Sequence, residues 1–351
     1  MTTKKYRLKD ILTIGNGKDH SSLEDGDIPV YGSGGLMRYV NSYLYDGTSV
    51  LLPRKGTLSN IQYVSGKFWT VDTCYYTKIN DSIVKPYFLY RLLKSLDLSG
   101  FDSGASIPSM TSKTYYGIKV DIPSLDHQNR ISSYLIEYDN LIELNTKRIK
   151  VLEQMAENLY KEWFVRFRFP RYEKAEFENG IPKEWEYKKL SELIDVRYGK
   201  DHKDIEDGDI PIFGSGGIMR YGDKELYSGE VILIPRKGTL NNIMYYNGSF
   251  WTVDTMFYSI PLLDNFAKYA YFTLAKFDMD SFNSGAALPS MTTNILYHLK
   301  MLVPDAESLK KFDSFVSTLF SQKEALQREN DNLIKQRDLL FPRLMSGKLK
   351  I

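Results

Sequence analysis

The sequence predicts an α+β fold written twice: two mixed α/β domains, each followed by a long helix, with the two helices antiparallel as a coiled coil about a pseudo-two-fold axis. Three observations predict it. A set of motifs recurs at a nearly constant offset, a heptad-spaced apolar seam follows each copy, and the composition excludes most other classes.

The repeat comes first. Gly17-Lys18-Asp19-His20 returns as Gly199-Lys200-Asp201-His202, 182 residues later. IPVYGSGGLMRY at 28–39 returns as IPIFGSGGIMRY at 210–221, PRKGTL at 53–58 returns at 235–240, and FWTVDT at 68–73 returns at 250–255. SGASIPSMT from Ser103 pairs with SGAALPSMT from Ser284, one residue short of the same offset. A period of this length is a duplicated domain rather than a solenoid. Within each copy, the apolar runs Ser49 to Leu52 and Val231 to Ile234 read as strands bounded by Gly- and Pro-bearing turns. Tyr87 to Leu96 reads as a helix, with Leu89, Leu92 and Leu93 on one face.

The seams come next. Ile131, Leu135, Tyr138, Ile142, Ile149, Leu152, Ala156, Leu159 and Trp163 alternate steps of four and three, with Asn145 in the single gap. In the second copy Phe312, Phe315, Leu319, Leu326, Leu333 and Leu340 continue the pattern, and Gln322, Glu329 and Gln336 are expected at the alternate positions. Leu319 and Leu340 stand 177 residues beyond Ile142 and Trp163, so the helices belong to the duplication. Neither can bury its seam alone, because isolated helices are marginal in water. Pairing them is the economical solution. A helix of about 36 residues would be ~54 Å long, the span of about sixteen base pairs of duplex at ~3.4 Å each. The first helix is expected to stop before Phe169-Pro170 and the second at Leu339-Leu340-Phe341-Pro342.

The 46 Lys and Arg against 44 Asp and Glu give a formal charge of +2, which excludes a globally basic nucleic-acid wrapper and a highly charged disordered tail. A single cysteine, Cys74, excludes a disulfide framework and a thiolate-rich zinc site, and suits a reducing compartment. The start has no apolar stretch of the kind a signal peptide carries, and the longest aliphatic run is far short of the ~20 residues that span a bilayer. A soluble, cytoplasmic protein is the expectation.

Catalytic chemistry is hard to find. There is no G-x-x-x-x-G-K-[ST] phosphate loop and no Asp-Pro-Pro-Tyr tetrapeptide. Phe213-Gly-Ser-Gly-Gly217 lacks the G-x-G-x-x-G spacing and reads as a structural turn, and Pro304-Asp305 reads as a loop before a helix. His20 and His202 are repeat mates rather than a metal pair; each could donate to a phosphate or a base, or simply stand in a surface loop. No catalytic, cofactor-binding or metal-binding residue is expected on this chain.

The repeated blocks instead carry cations beside glycine turns. Lys18, His20, Arg38, Arg54, Lys55 and Thr57 lie near Tyr31 and Tyr39 in the first copy. Lys200, His202, Arg220, Arg236, Lys237 and Thr239 lie near Phe213 and Tyr221 in the second. Such residues suit phosphate positioning and base-edge reading in double-stranded DNA; a solvated strand end is the plainer reading of Arg54-Lys55. Phe68, Trp69, Phe250 and Trp251 are expected to fill the two cores rather than stack on bases.

With these residues in place, the chain resembles the specificity (S) subunit of Type I restriction–modification systems over essentially its whole length. The resemblance is carried by Leu159-Tyr160-Lys161-Glu162-Trp163-Phe164-Val165-Arg166-Phe167, by Gly180-Ile181-Pro182 with Trp185, and by Leu339-Leu340-Phe341-Pro342-Arg343-Leu344-Met345-Ser346-Gly347. No opening like Gly180-Ile181-Pro182 and Trp185 precedes the first copy. The resemblance implies target recognition domains at 1–125 and, with a linker, at 171–304, and spacer helices at 126–170 and 305–351. It implies that each domain binds half of a bipartite DNA site and that the chain is a non-catalytic scaffold. Two methylation subunits would use S-adenosylmethionine on adenine N6, and two restriction subunits would use ATP and magnesium. The near-identity of the repeated blocks adds the expectation of a nearly palindromic site. The alternatives are a standalone DNA-binding module and a duplicated protein-interaction module without restriction partners.

Overall fold

The computed structural model describes residues 2–98, 108–282 and 289–349, and it divides into two compact units: residues 1–146 with 328–351, and residues 147–327. Four helices matter most here: α1 (Pro86–Lys94), α2 (Leu125–Tyr160), α3 (Ala267–Leu274) and α4 (Ala306–Met345). Both units are mixed, as the sequence predicts.

In the first unit, Ser49–Pro53 is a strand buried at all five positions, and period-two alternation explains how. Val50 and Leu52 face α1 and meet Phe88, Leu89 and Leu92, while Leu51 points the other way, to Phe68 and Cys74. The strand sits within the antiparallel order Leu12–Gly15, Cys74–Ile79, Ser49–Pro53, Gln62–Val64. A second sheet runs Gly35–Val40, Ile28–Gly32, Lys67–Thr70, Tyr45–Asp46, with Ile28–Gly32 parallel to Lys67–Thr70. Helix α1 starts on Pro86, where a missing N–H costs nothing. Buried Gln128 accepts from the Lys85 N–H at 2.7 Å and donates to the Ile83 and Pro123 carbonyls, tying α1 to the start of α2. Burial pushes the Cys74 thiol up to about 12, so it behaves as a small apolar side chain.

The second unit repeats this plan in one six-stranded sheet, ordered Ile194–Tyr198, Met256–Pro261, Tyr227–Pro235, Met244–Thr252, Asp207–Gly214, Gly217–Gly222. Ile232 and Ile234 face the α3 core with Phe266, Tyr269 and Ala270; Val231 and Leu233 face Phe250 and Phe213.

Within each unit the segments of α2 and α4 run antiparallel. In the first, Arg337 donates to Asp139 at 2.6 Å and Asn330 donates to Thr146 at 3.3 Å, so partners fall along α4 as they rise along α2. In the second, Lys323 pairs with Glu153 at 2.6 Å and Phe312 packs on Trp163. The α2 seam falls as expected, with Ile131, Leu135, Asn145, Ala156 and Trp163 buried. The α4 seam differs by one residue at its alternate positions. Gln322, Glu329 and Gln336 are exposed, and Lys323, Asn330 and Arg337 turn inward instead, four residues after each leucine rather than three. Phe315 is likewise exposed, with Val316 buried in its place.

Duplication has not made the two joints alike. In the second unit the junction of α2, α3 and α4 is aromatic: Tyr160 stacks on Phe272 and Phe164 meets Phe312 edge-on. In the first it is ionic: Arg91 donates to Asp338 at 2.6 Å, Arg337 bridges Asp338 and Asp139, and the Tyr87 hydroxyl donates to Asp139. Helix α2 closes in a π turn, Lys161–Val165, which sends the neighbouring Trp163 and Phe164 into the core together. Helix α4 continues three residues beyond Pro342 instead of ending there, because Phe341 and Leu344 are anchored in the core of the first unit.

The ionic joint sets a test. Arg337→Ala leaves Asp139 and Asp338 without this partner in a partly desolvated site, a loss of about 3 kcal/mol. Thermal unfolding should then show the first unit melting roughly 6–12 °C lower; an unchanged midpoint would count against the network. Burial raises the Asp338 carboxyl, but hydrogen bonds from Arg337 and Arg91 outweigh it and hold the group below the ordinary value. A depressed folded pKa contributes stability above the unfolded value near ~4. That contribution should disappear as pH falls through the lower folded value, and Asp338→Asn should flatten this acid limb of the stability curve.

Candidate nucleic-acid interface

Four of the repeated blocks converge in each unit. In the first, the Lys18 N–H donates to the Thr70 carbonyl at 2.8 Å, and the Trp69 indole donates back to the Lys18 carbonyl at 2.9 Å. The second unit repeats both bonds, Lys200 to Thr252 and Trp251 to Lys200. Gly17 is required there: a Cβ would stand 1.9 Å from the Val71 carbonyl oxygen, and at Gly199 it would stand 2.0 Å from that of Val253.

A hairpin of Ile28–Gly32 and Gly35–Val40 presents the turn at Ser33-Gly34. Asn60 donates to the Ser33 carbonyl and Gln62 to that of Gly32, fixing the turn from beneath. Asn242 does the same for Ser215, while Met244 replaces Gln62. The loop after Pro53 lies alongside. The Arg54 N–H donates to the Thr73 carbonyl, Gly56 adopts a φ of +88° beside the Ser33 hydroxyl, and Lys55 forms a bridge with Ser109. Lys237 and Ser290 form the matching bridge. Ser103–Ile107 and Ser284–Leu288, the rest of the fifth repeated block, lie outside the described residues.

The expected site residues therefore separate into two groups. Lys18, Arg54, Lys55 and Thr57 are exposed on one loop cluster, as are Lys200 and Thr239, with Arg236 and Lys237 half-buried. Arg236 lies 5.4 Å over the Tyr198 ring. Arg38 and Arg220 are instead committed to the fold. Arg38 donates to the Leu23 carbonyl at 2.7 Å and pairs with Asp25. Arg220 donates to the carbonyls of His202 and Ile205 at 2.8 Å and pairs with Asp207. Both clamp the loop that follows the Lys-Asp-His turn. His202 Nδ1 lies 3.4 Å from Arg220 Nε, and His20 Nδ1 is buried without a hydrogen-bond partner. His127 and His298 sit at helix ends, bonded to Ser124 and to the Asn294 carbonyl.

Phe68 and Phe250 are core residues, as expected, whereas Trp69 and Trp251 are half-buried and hold the cationic turn in place. Tyr31 and Phe213 pack edge-on against Phe68 and Phe250; Tyr39 and Tyr221 remain half exposed. Beside Lys18, the Ser21 hydroxyl and backbone N–H hold the Asp19 carboxylate below its ordinary value. The Lys203 backbone does the same for Asp201. Each turn thus carries a fixed carboxylate next in sequence to its lysine. Among the described residues, no group of three or more His, Cys, Asp or Glu could hold a metal, and no helix is long and apolar enough to cross a membrane.

Two features escape a reading based on charge. Leu36 and Met37, with Ile218 and Met219, stand exposed beside each hairpin turn, although LMRY and IMRY were visible as a repeat. The helices also leave apolar side chains open, Tyr134, Leu141 and Leu144 in the first unit and Val151, Met155 and Phe315 in the second. The heptad spacing of Tyr134 with Leu141, and of Leu144 with Val151, was the available signal.

A family model described as the type I restriction modification DNA specificity domain matches residues 2–154 and again residues 182–336. The chain is similar to the type I restriction enzyme MjaIX specificity subunit of Methanocaldococcus jannaschii, 26% identical over 307 residues that cover 77% of this chain and 70% of that protein. It is also similar to the MjaVIII specificity subunit of the same organism, 24% identical over 347 residues, covering 88% and 78%. Its fold is similar to the crystal structure of a Type-I restriction-modification system S subunit from M. genitalium, with a TM-score of 0.61 at 15% identity, covering 98% of this chain and 96% of that one.

The glycine contact gives the test of this geometry. Gly17→Ala should force the Lys18 turn off the Thr70–Val71 backbone, and Gly199→Ala should do the same in the second copy. Amide hydrogen exchange at Lys18 or Lys200 should rise at least tenfold in the altered copy and stay unchanged in the other. Equal exchange in both copies would show that the turn does not depend on the glycine.

Proposed function

We propose a function from one established fact, that the chain belongs to the type I restriction modification DNA specificity family: each unit reads one half of a bipartite site on double-stranded DNA. The chain itself is the non-catalytic specificity subunit. The observation that carries the reading is the same loop cluster built twice, with Lys18, Arg54, Lys55 and Thr57 in one copy and Lys200, Arg236, Lys237 and Thr239 in the other. Exposed Lys and Arg on anchored loops position phosphates, which fixes register without reading sequence. His20 and His202 flank these cations. Arg38 and Arg220 serve by holding the loops rather than by touching bases.

Because the clusters coincide, the half-sites are related and inverted, and the whole site is close to palindromic. Helices α2 and α4 set the spacer between the half-sites. Their open apolar faces, Tyr134 and Leu144 in one unit and Val151 and Met155 in the other, dock two methylation subunits. Those subunits supply S-adenosylmethionine chemistry, and two restriction subunits supply the ATP- and magnesium-dependent steps. The assembly works in the cytoplasm.

Long-read methylation mapping of a host with and without this gene tests the reading. The expected loss is adenine methylation at a bipartite motif with related, inverted half-sites; an unchanged methylome refutes the function, and unrelated half-sites refute the palindrome. One heptad inserted into both helices, beside Asn145 and Asn330, adds ~10 Å. It should lengthen the spacer by about three base pairs with both half-sites kept. In vitro, Lys55→Ala and Lys237→Ala should weaken binding uniformly across sequences, each reducing the salt slope by about one.

A further inference from the structure

We infer that the exposed hairpin of each unit is its base-reading ribbon, and that Leu36-Met37 and Ile218-Met219 recognise the 5-methyl groups of thymines in the major groove. This rests on the reading of the units as DNA half-site readers and names residues that give the site its sequence.

The exposure is unusual in kind. Leu36 and Met37 are 51% and 55% exposed, and Ile218 and Met219 are 50% and 57% exposed, in strands that carry a half-exposed tyrosine two residues after each methionine. Scattered surface apolar residues need no explanation, but a contiguous cluster marks a contact surface. The two copies keep this cluster, while the segments that follow it have drifted: residues 40–48 read VNSYLYDGT and residues 222–230 read GDKELYSGE.

The methionine is also set in place. A Cβ on Gly32 would stand 2.7 Å from the Met37 sulfur, and one on Gly214 would stand 2.5 Å from that of Met219. The thioether therefore lies across bare backbone on one side and faces solvent on the other, in both copies. Behind it, Asn60 and Arg38 pin the hairpin and its loop, as Asn242 and Arg220 do in the second unit. A ribbon held this way presents its apolar residues on a backbone already ordered, which lowers the cost of binding.

Charge and shape select the occupant. The hairpin turn touches the cationic loop, with Ser33 against Gly56 and Ser215 against Gly238, so Arg54-Lys55 and Arg236-Lys237 flank the apolar patch. Nothing lies within 4 Å of where a Cβ would be on Gly34, Gly35, Gly216 or Gly217, leaving the tip open to close approach. An apolar ridge beside cations suits a polyanion with apolar spots on its floor. The major groove admits a two-stranded ribbon and offers one such spot, the thymine methyl. Leucine and isoleucine have no hydrogen-bonding group, and methionine has only a weak acceptor, so their discrimination is between thymine and the bases that lack a methyl.

The test pairs a side-chain deletion with a methyl deletion. Duplexes are selected from a randomised pool by the full chain, carrying its methylation subunits, and each thymine is then replaced by uracil. At least one replacement in each half-site should weaken binding about fourfold, as expected for losing one buried methyl. In L36A/M37A that penalty should vanish in one half-site and persist in the other, with I218A/M219A giving the mirror result and M37L retaining the penalty. Neutral uracil replacements throughout, half-sites without thymine, or penalties that persist in both variants overturn the inference and leave the half-site reading intact. Loss of the methylation subunits from either variant, with the penalties unchanged, makes the hairpin a protein-docking surface and also overturns it. Failure to select any duplex removes the half-site reading beneath it as well.

Discussion

Everything in this chain depends on a seam that no single helix can close. Helices α2 and α4 are 36 and 40 residues long, and each carries a stripe that water disfavours. Their pairing makes each compact unit from segments distant in sequence, residues 1–146 closing with 328–351 in the first. The seam is not uniformly apolar. Asn145 and Asn330 are buried in it, and Arg337 enters it to meet Asp139. Such layers cost stability relative to leucine, all the more because the Asn145 amide is buried without a hydrogen-bond partner. The pairs Arg337–Asp139 and Asn330–Thr146 restrict register, since a shifted pairing would bury the guanidinium without its carboxylate. The position filled by Arg337 in one joint is filled by Tyr160, 177 residues earlier, in the other. Arg337 meets carboxylates and Tyr160 meets rings, so the helix segments of each unit recognise their own partners.

From the seam outward, alternation does the remaining work. Because Ser49–Pro53 and Val231–Ile234 are covered on both faces, the cations of the repeated PRKGTL blocks fall in the turns that follow these buried strands. The glycines of those turns have definite tasks: Gly17 and Gly199 allow a carbonyl to approach, and Gly56 and Gly238 carry a positive φ next to a serine hydroxyl. Loops anchored so closely to sheet edges can hold a contact surface at small entropic cost on binding.

Much of this was legible in the residues. Repeated blocks gave the two units, and the alternation of three and four gave the helices and the α2 seam, because both are periodic signals that tertiary context preserves. The phase of α4 was not legible. Gln322, Glu329 and Gln336, three residues after successive leucines, look no worse as seam residues than Lys323, Asn330 and Arg337 four residues after them. The choice is made by the partners, Asp139 and Thr146, on another helix. Arg38 and Arg220 carry charge in a repeated block and so resemble ligand-binding residues; only the fold shows their guanidinium groups spent on loop carbonyls. Pro342 reads as a helix stop, yet core burial of Phe341 and Leu344 on either side of it outweighs one lost hydrogen bond.

The near-neutral charge then acquires a consequence. A chain with a formal charge of +2, whose Lys18 and Lys200 stand beside Asp19 and Asp201, gains little from releasing counterions on arbitrary DNA. Non-specific affinity is the term that grows with unpaired cations, and specificity is the ratio of specific to non-specific binding. Balancing 46 cations with 44 carboxylates lowers the denominator of that ratio more than the numerator. Directional and apolar contacts with bases must supply the difference. In the proposed assembly, general grip on the duplex then belongs to the subunits docked on α2 and α4. The chain that chooses the sequence keeps its own electrostatics weak, because strong attraction to every phosphate would blur the choice.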